Sequence, residues 1–373
     1  MRGLYIHIPY CNQKCHYCNF VISTHHSDEN RKRFFSAFQS EVNHAREKYG
    51  LLKFDTFYLG GGTPSLISTG ELSDLVNLLK SKFTFSDSIE FTCEVNPKDV
   101  TKEKVKVWRE LGINRISLGA QAFQDSILEQ LGRDHSAEDI RQSVQILREN
   151  NFENISFDLI CRLPNQNSED FEESVHETLK LDPAQITIYD LEVHEKTVFG
   201  YQRKTNKLNL PDEVEHLEMM GRAEVILEKS KLRRYEIANF AIPGFESKHN
   251  LIYWRNGEYL GLGPGAFSYI NEERYQLAND VTSYLGKCGK NNFSCYEYDL
   301  IDDRKKELET LIAGIRLVEG VDLDKFKIIR NKLNENLEVF IQENLIISEN
   351  SRIYLSARGR RVYEDLIERL IEV

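Results

Sequence analysis

The chain has 373 residues, 40% hydrophobic and 29% charged, and carries a net charge of −11 at pH 7. That length supports one large core plus a smaller module, and the acidic balance excludes the clustered positive surface that nucleic acids require. No apolar run approaches the ~18 residues needed to span a bilayer and no signal peptide is visible, while seven cysteines, an odd number, fit a reducing cytoplasm better than a disulfide framework.

In chain order, the first strand, Leu4–Ile8, runs into Cys11, Cys15 and Cys18 in a C-x3-C-x2-C spacing. Three soft thiolates so close in sequence can close on one metal centre, and they select zinc, copper(I) or an iron-sulfur cluster. Structural zinc and ordinary electron-transfer clusters take four protein ligands. Three thiolates on a cubane would leave one iron open for a ligand. A zinc site with a remote fourth ligand, or a plain surface cysteine cluster, is the alternative on this stretch alone.

Further strands are expected at Thr56–Leu59, Ser88–Val95, Arg115–Leu118, Asn154–Ile160 and Gln185–Leu191, rich in Ile, Val, Phe, Tyr and Thr. Between them lie stretches of helical period at Glu29–Lys48, Glu71–Lys82, Thr101–Leu111, Ala137–Asn150 and Ser168–Leu181. Strand and helix alternate in a βα series, which predicts a parallel sheet with right-handed crossovers. The units are too few for a full eight-fold barrel, so an open, partial (β/α)6 barrel is expected. Chemistry in such a barrel sits at the C-terminal strand ends. Those ends carry the three Cys, then Gly60-Gly61-Gly62-Thr63-Pro64-Ser65, Glu94-Val95-Asn96-Pro97 and Gly119-Ala120-Gln121, and the fifth strand contains Asp158, followed by Leu163-Pro164-Asn165-Gln166. A carboxylate at an apolar strand end is costly to bury without a partner, and ribose hydroxyls would supply donors to Glu94 and Asp158.

The three-Cys spacing with Tyr17 before the last thiol resembles the signature of the radical S-adenosylmethionine (SAM) superfamily, whose members share the partial-barrel fold. The resemblance implies that Cys11, Cys15 and Cys18 hold a 4Fe-4S cluster whose open iron chelates SAM. It implies further that the reduced cluster cleaves SAM to a 5′-deoxyadenosyl radical. Tyr5 to Cys11, Gly60 to Ser65, Glu94 to Pro97, Arg115 to Gln121 and Leu131-Gly132-Arg133-Asp134-His135 narrow it to the group of oxygen-independent coproporphyrinogen III oxidases and related haem chaperones. Carried over by position, Tyr5, Gly61, Gly62, Thr63, Glu94, Gln121, Arg133 and Asp158 would contact SAM, with Tyr17 beside its adenine and Arg133 paired to its carboxylate. One departure stands at Cys161-Arg162, where the group usually reads Tyr-Gly.

Two features separate the branches of this group. The oxidases carry a further Cys two residues after the third ligand, and an N-terminal extension over the active site. Here that position is Phe20, and ten residues precede Cys11. The HemW-type haem chaperones carry an H-N-x-x-Y-W sequence, present here as His249, Asn250, Tyr253 and Trp254. Imidazole is a standard axial ligand of haem iron, and the two aromatics offer large apolar faces with polar tips. The resemblance therefore implies a protein that binds haem and hands it to an apo-haemoprotein. The alternative is an oxygen-independent coproporphyrinogen III dehydrogenase that uses the SAM radical for oxidative decarboxylation. Whether SAM is cleaved or only bound stays open, and oxidase activity is not expected.

A charged helix is expected from about 211 to 231. From Asp302 onward, helices at Arg304–Val318, Asp324–Asn331 and Asn334–Asn344, a ribbon at Leu345–Ile347 and Arg352–Leu355, and a last helix from Ala357 resemble a winged-helix module. Its 15 acidic and 13 basic residues leave no footprint for phosphates. Cys93, Cys161, Cys288 and Cys295 have no metal-like spacing and read as small buried residues. The expected organisation is thus a radical SAM barrel over 1–230, an extension carrying the H-N-x-x-Y-W motif over 231–300, and a winged-helix-like α+β module over 301–373. Cytoplasmic residence is expected, with peripheral membrane attachment and a homodimer left open.

Overall fold

Alternating β-branched strands and amphipathic helices build the body of the protein as βα units, seen in a computed structural model that describes residues 1–371. The strands are β1 (Gly3–Ile8), β2 (Lys53–Gly61), β3 (Thr84–Val95), β4 (Arg115–Gln121), β5 (Ile155–Cys161) and β6 (Gln185–Asp190). The crossover helices are α1 (Asp28–Tyr49), α2 (Thr69–Lys82), α3 (Lys102–Leu111), α4 (Asp125–Gln130), α5 (Ala137–Glu149) and α6 (Ser168–Lys180). Local chemistry starts the helices where it should. Ser68, Ser136 and Asn167 form capping boxes with Glu71, Asp139 and Asp170, each satisfying two otherwise orphaned N–H groups.

All neighbours from β1 to β6 pair in parallel. Gly3 faces Thr56 and Ile8 faces Gly61, so the first Cys loop and the glycine turn leave the sheet side by side. Phe34 and Phe38 of α1, Leu72, Leu75 and Leu79 of α2, and Trp108 of α3 are buried against the outer face of the strands in one contiguous core. The expected partial (β/α)6 barrel is the fold.

The sheet goes further than the six units. Among the described residues it has twelve strands. On the β6 edge lie β7 (Arg233–Arg234) and β8 (Asn239–Ala241); on the β1 edge lie β9 (Tyr259–Leu262), β10 (Phe267–Ile270), β11 (Glu273–Gln276) and β12 (Glu297–Leu300). β9 pairs with β1 in parallel and the rest are antiparallel. Residues 231–300 therefore extend both edges of the barrel sheet. Strands of two to four residues carry too little alternation to be read from sequence. Helices α7 (Val198–Lys204), α8 (Glu213–Glu228), α9 (Lys248–Trp254) and α10 (Val281–Cys288) complete this region, α8 falling inside the expected 211–231 helix.

The C-terminal module has its own core of Leu311, Ile315, Leu333, Leu337, Phe340, Ile353 and Leu366. It comprises α11 (Asp303–Gly314), α12 (Arg330–Gln342), α13 (Ala357–Arg361), α14 (Tyr363–Ile371) and a three-stranded antiparallel sheet of β13 (Val321–Asp322), β15 (Arg352–Leu355) and β14 (Ile346–Glu349). This is the winged-helix-like arrangement. The helix expected at Asp324–Asn331 is instead a single 3-10 turn at Leu323–Lys325 and a bend at residues 327–329, with Arg330 and Asn331 opening α12. Glu307 explains the difference, because its carboxylate accepts from the backbone N–H groups of Lys327, Ile328 and Ile329 at 2.8, 2.9 and 3.0 Å. Those donors are thus satisfied without a helix. Glu307→Ala is expected to cost about 1 to 2 kcal/mol, read in urea unfolding of the module, and an unchanged midpoint would mean that water replaces the carboxylate at no loss.

Candidate functional site

The C-terminal strand ends surround a cavity of about 380 Å³. Cys11, Cys15 and Cys18 line it, with Tyr17, Phe20, Gly61, Gly62, Thr63, Glu94, Gln121, Arg133 and Asp158. So the sequence-chosen cluster residues and all but one of the SAM residues share one wall system. Tyr5 is the exception. It lies behind that wall, its hydroxyl bonded to His7 Nδ1 at 3.1 Å and its ring 6.1 Å from that of Tyr58.

The glycine turn is shaped by its neighbours. Gly61 has φ of 111°, and a Cβ there would sit 2.8 Å from the His7 ring. At Gly62 a Cβ would lie 2.8 Å from Tyr10 O and 3.0 Å from Cys11 Sγ. Only a bare backbone allows the turn to pack this closely against the Cys loop. His7 supports it from below. Because Val21 O can only accept, His7 Nε2 carries the proton to it (2.8 Å), and Nδ1 accepts from Tyr5. Burial holds the His7 pKa down to about 4, which keeps the ring neutral in that arrangement.

The thiols sit among suitable partners. Thr63 Oγ1 donates to Cys11 Sγ at 3.4 Å, and Arg133 Nη1 approaches Cys15 Sγ at 3.7 Å. Burial raises the Cys11 thiol to about 11 and raises Cys18 as well. A bound cation would reverse this, since coordinating thiols are deprotonated. All three thiols are free of disulfides. Thiolates of this softness, beside a bare glycine cradle, fit an iron-sulfur cluster.

Arg133 is positioned as an anion anchor. Its Nη2 donates to Gly119 O at 3.1 Å and Asn96 Oδ1 at 3.5 Å, and its Nε to His135 Nδ1 at 3.4 Å. His135 in turn donates from Nε2 to Ala120 O at 3.2 Å, and burial with the Arg133 charge lowers its pKa to about 4. Among the described residues no carboxylate hydrogen-bonds the guanidinium, so its charge is available to a ligand carboxylate. Gln121, at φ 67°, holds a strained backbone at the cavity wall.

Two acids, Glu94 and Asp158, line the same cavity. Glu94 accepts from Tyr58 OH at 2.9 Å and Gly61 N at 3.2 Å; Asp158 accepts from Ser117 Oγ at 3.0 Å. Burial pushes Glu94 up to about 7 and Asp158 up to about 6. Near neutrality Glu94 is thus partly protonated and Asp158 largely ionised, so a cationic ligand that needs the ionised forms must displace the Glu94 proton. SAM affinity is expected to fall about tenfold from pH 8 to pH 6, the Glu94 proton alone accounting for it. The sign for stability is opposite. Acids whose folded pKa is raised stabilise the ligand-free protein below their unfolded values, an effect lost as pH rises from about 4 through about 7. Calorimetric titration of SAM at both pH values checks this; equal affinities would show that neither acid meets the ligand.

Sequence reasoning missed Asn96, Ser117, Tyr58, His7 and His135, which hold the chosen residues in place. Asn96 follows the end of β3 and Ser117 lies within β4; His7 and His135 fall inside the motif stretches that carry the resemblance, and Tyr58 lies within β2, where only alternation marks it. Cys161-Arg162 keeps the glycine-like shape of its loop, since Arg162 adopts φ 65°.

The H-N-x-x-Y-W residues are elsewhere. They lie on α9, which closes the opposite, N-terminal end of the barrel strands. Glu90 accepts from the backbone N–H of Lys248 and His249, both at 3.0 Å. His249 is 1% exposed; its Nδ1 meets Thr56 Oγ1 at 2.7 Å, its Nε2 meets Tyr253 OH at 2.9 Å, and its ring stacks on Tyr58 at 4.9 Å. Burial lowers its pKa to about 3. The Arg316 guanidinium of the C-terminal module covers the Trp254 ring at 4.5 Å. Asn250 is half-buried, its N–H bonded to Ser247 Oγ at the helix cap.

A parallel partial barrel with three cysteines and a glycine turn at one mouth defines a radical SAM protein. The Radical SAM superfamily model matches residues 5–178 and the HemN C-terminal domain model residues 302–362. Heme chaperone HemW of Bacillus subtilis is 34% identical over 96% of this chain and 96% of its own length, and that of Lactococcus lactis 33% over 99% and 97%. The chain belongs to the HemW family. The solved structure of coproporphyrinogen III oxidase (HemN) from Escherichia coli superposes with a TM-score of 0.87, at 20% identity, over 99% of this chain and 89% of that one, which establishes the shared fold.

Proposed function

We propose that this protein is a haem chaperone that binds haem and passes it to an apo-haemoprotein. The observation that carries the reading is the near end-to-end likeness to relatives named Heme chaperone HemW. In this reading Cys11, Cys15 and Cys18 hold a 4Fe-4S cluster, and Arg133, Glu94 and Asp158 anchor SAM beside it. When bound, the pair supplies one-electron chemistry. Asn96 and His135 orient Arg133; Tyr58 and Ser117 orient the two acids. Tyr5 supports His7 and the glycine turn.

Haem is the cargo, and His249 is its proposed axial ligand. The neutral imidazole is the ligating form, and burial keeps His249 neutral. Both ring nitrogens are occupied in the closed arrangement, so α9 must leave the barrel floor before iron can reach Nε2. Tyr253, Trp254 and Asn250 would then face the macrocycle. The C-terminal module holds the motif shut through Arg316 on Trp254, and through Arg255 on Glu319 at 3.1 Å. Release of that module is the step that would open the site. The protein would act in the cytoplasm; no helix among the described residues is long and apolar enough to cross a membrane.

A second reading, coproporphyrinogen III dehydrogenase, is favoured by the fold shared with HemN. Against it stands Phe20, 68% exposed at the cavity, where the oxidases carry a further Cys. Incubating cluster-loaded protein with SAM, reductant and coproporphyrinogen III separates the two. The chaperone reading expects no protoporphyrinogen IX, and expects haem-loaded protein to restore the spectrum of an apo-haemoprotein. Turnover without transfer would reverse the assignment.

A further inference from the structure

The geometry points to a second metal site, for Zn²⁺ or a similar borderline-soft divalent ion, formed by Cys161, Asp190 and His216. It goes beyond the haem-chaperone reading and stands without it. Cys161 ends β5, Asp190 ends β6, and His216 sits in the first turns of α8. One ligand atom of each lies within 4.8 Å of the others. His216 Nε2 is 2.7 Å from an Asp190 carboxylate oxygen, and Met219, one turn along α8, places its Sδ 3.7 Å from Cys161 Sγ.

The donor set selects the metal. Thiolate and imidazole favour zinc-class ions, whereas calcium and magnesium need several hard oxygens and find one carboxylate here. Three protein ligands from three elements leave a fourth position open, the pattern of zinc sites that take an exogenous ligand. The burial of each donor fits its role. Cys161 and Met219 are fully buried, His216 is largely covered, and Asp190 is 56% exposed at the outer side. Ions can thus enter past Asp190. On binding, the Cys161 thiol releases its proton to solvent and His216 exchanges its bond to Asp190 for the metal.

The position suggests a consequence for the main site. Asp190 also lines the cavity that holds Cys11, Cys15 and Cys18. A metal tying β5, β6 and α8 together would fix the rim of that cavity next to Asp158. The ligands are 29 and 26 residues apart in sequence, which is why spacing did not reveal them.

The test is a metal titration of the full-length, cluster-loaded protein under anaerobic conditions. Zn²⁺ uptake is measured against a chromophoric chelator, and Co²⁺ is used as the spectroscopic probe. Wild type is expected to take up equimolar Zn²⁺ without loss of iron, and its Co²⁺ form to show thiolate-to-cobalt charge transfer. His216→Ala, which leaves the buried core intact, should weaken Zn²⁺ binding by more than about tenfold. Cys161→Ser should abolish the charge-transfer band. The assignment is overturned if wild type binds no more Zn²⁺ than His216→Ala, or if the cobalt–thiolate band survives Cys161→Ser in folded protein.

Discussion

Cys18→Ala is expected to remove essentially all cluster iron and sulfide, with loss of the brown absorbance and of the reduced-state electron paramagnetic resonance signal. One iron of the cubane already lacks a protein ligand with three thiolates, and with two thiolates a second would lack one as well, so no partial occupancy should persist. The same holds for Cys11→Ala and Cys15→Ala. All three thiols sit on a partly exposed loop, and the core beneath is formed by Ile6, Ile8 and Tyr10, so the circular dichroism spectrum should not change. SAM binding should weaken strongly without vanishing, because Arg133, Glu94 and Asp158 remain. Stoichiometric iron and sulfide in Cys18→Ala would show that another residue completes the site and that the three-Cys assignment is wrong.

His249→Ala is expected to cost about 3 to 5 kcal/mol of stability. The substitution deletes a fully buried ring that stacks on Tyr58, and it strands the hydroxyls of Thr56 and Tyr253 that now meet it. Cavity formation and unpaired polar groups both contribute. Tyr253→Phe removes only the bond to Nε2 and should cost about 1 kcal/mol. Urea unfolding followed by far-ultraviolet circular dichroism gives both values. The pair also separates structure from ligation. With Nε2 released, Tyr253→Phe should capture haem faster than wild type, whereas His249→Ala, kept below its unfolding midpoint, should lose the axial ligand. A His249→Ala protein as stable as wild type would mean that the barrel floor is not held by this ring.

Much of the site was legible because its chemistry is local in sequence. Cys11, Cys15 and Cys18 fall in one loop; Gly61 and Gln121 end their strands, Glu94 stands one residue before the end of its strand, and Asp158 lies within β5, all on strands whose apolar character is plain. The parallel barrel then brings those ends together with no further information needed. Three things were hidden. The edge strands β7 to β12 are too short to show periodicity. The Asp324–Asn331 helix was displaced by a side chain far from it in sequence, Glu307, whose carboxylate takes the N–H groups a helix would have used. The third concerns His249, whose neighbours could not be read at all. Its partners Thr56, Tyr58 and Glu90 come from strands more than 150 residues earlier, and they hold the proposed haem ligand buried in the closed barrel floor.

That placement sharpens the central claim. Haem binding through H-N-x-x-Y-W requires the closed floor to open, so it should be saturable, slower than diffusion, and dependent on the contacts that hold α9. The most direct measurement is an anaerobic haem titration of cluster-loaded wild type and His249→Ala, followed by absorbance in the Soret region. A Soret band that saturates at equimolar haem in wild type, and is lost or shifted in folded His249→Ala, is the predicted result. No specific haem binding by the wild-type protein would contradict the chaperone assignment and leave the motif as a structural element of the barrel.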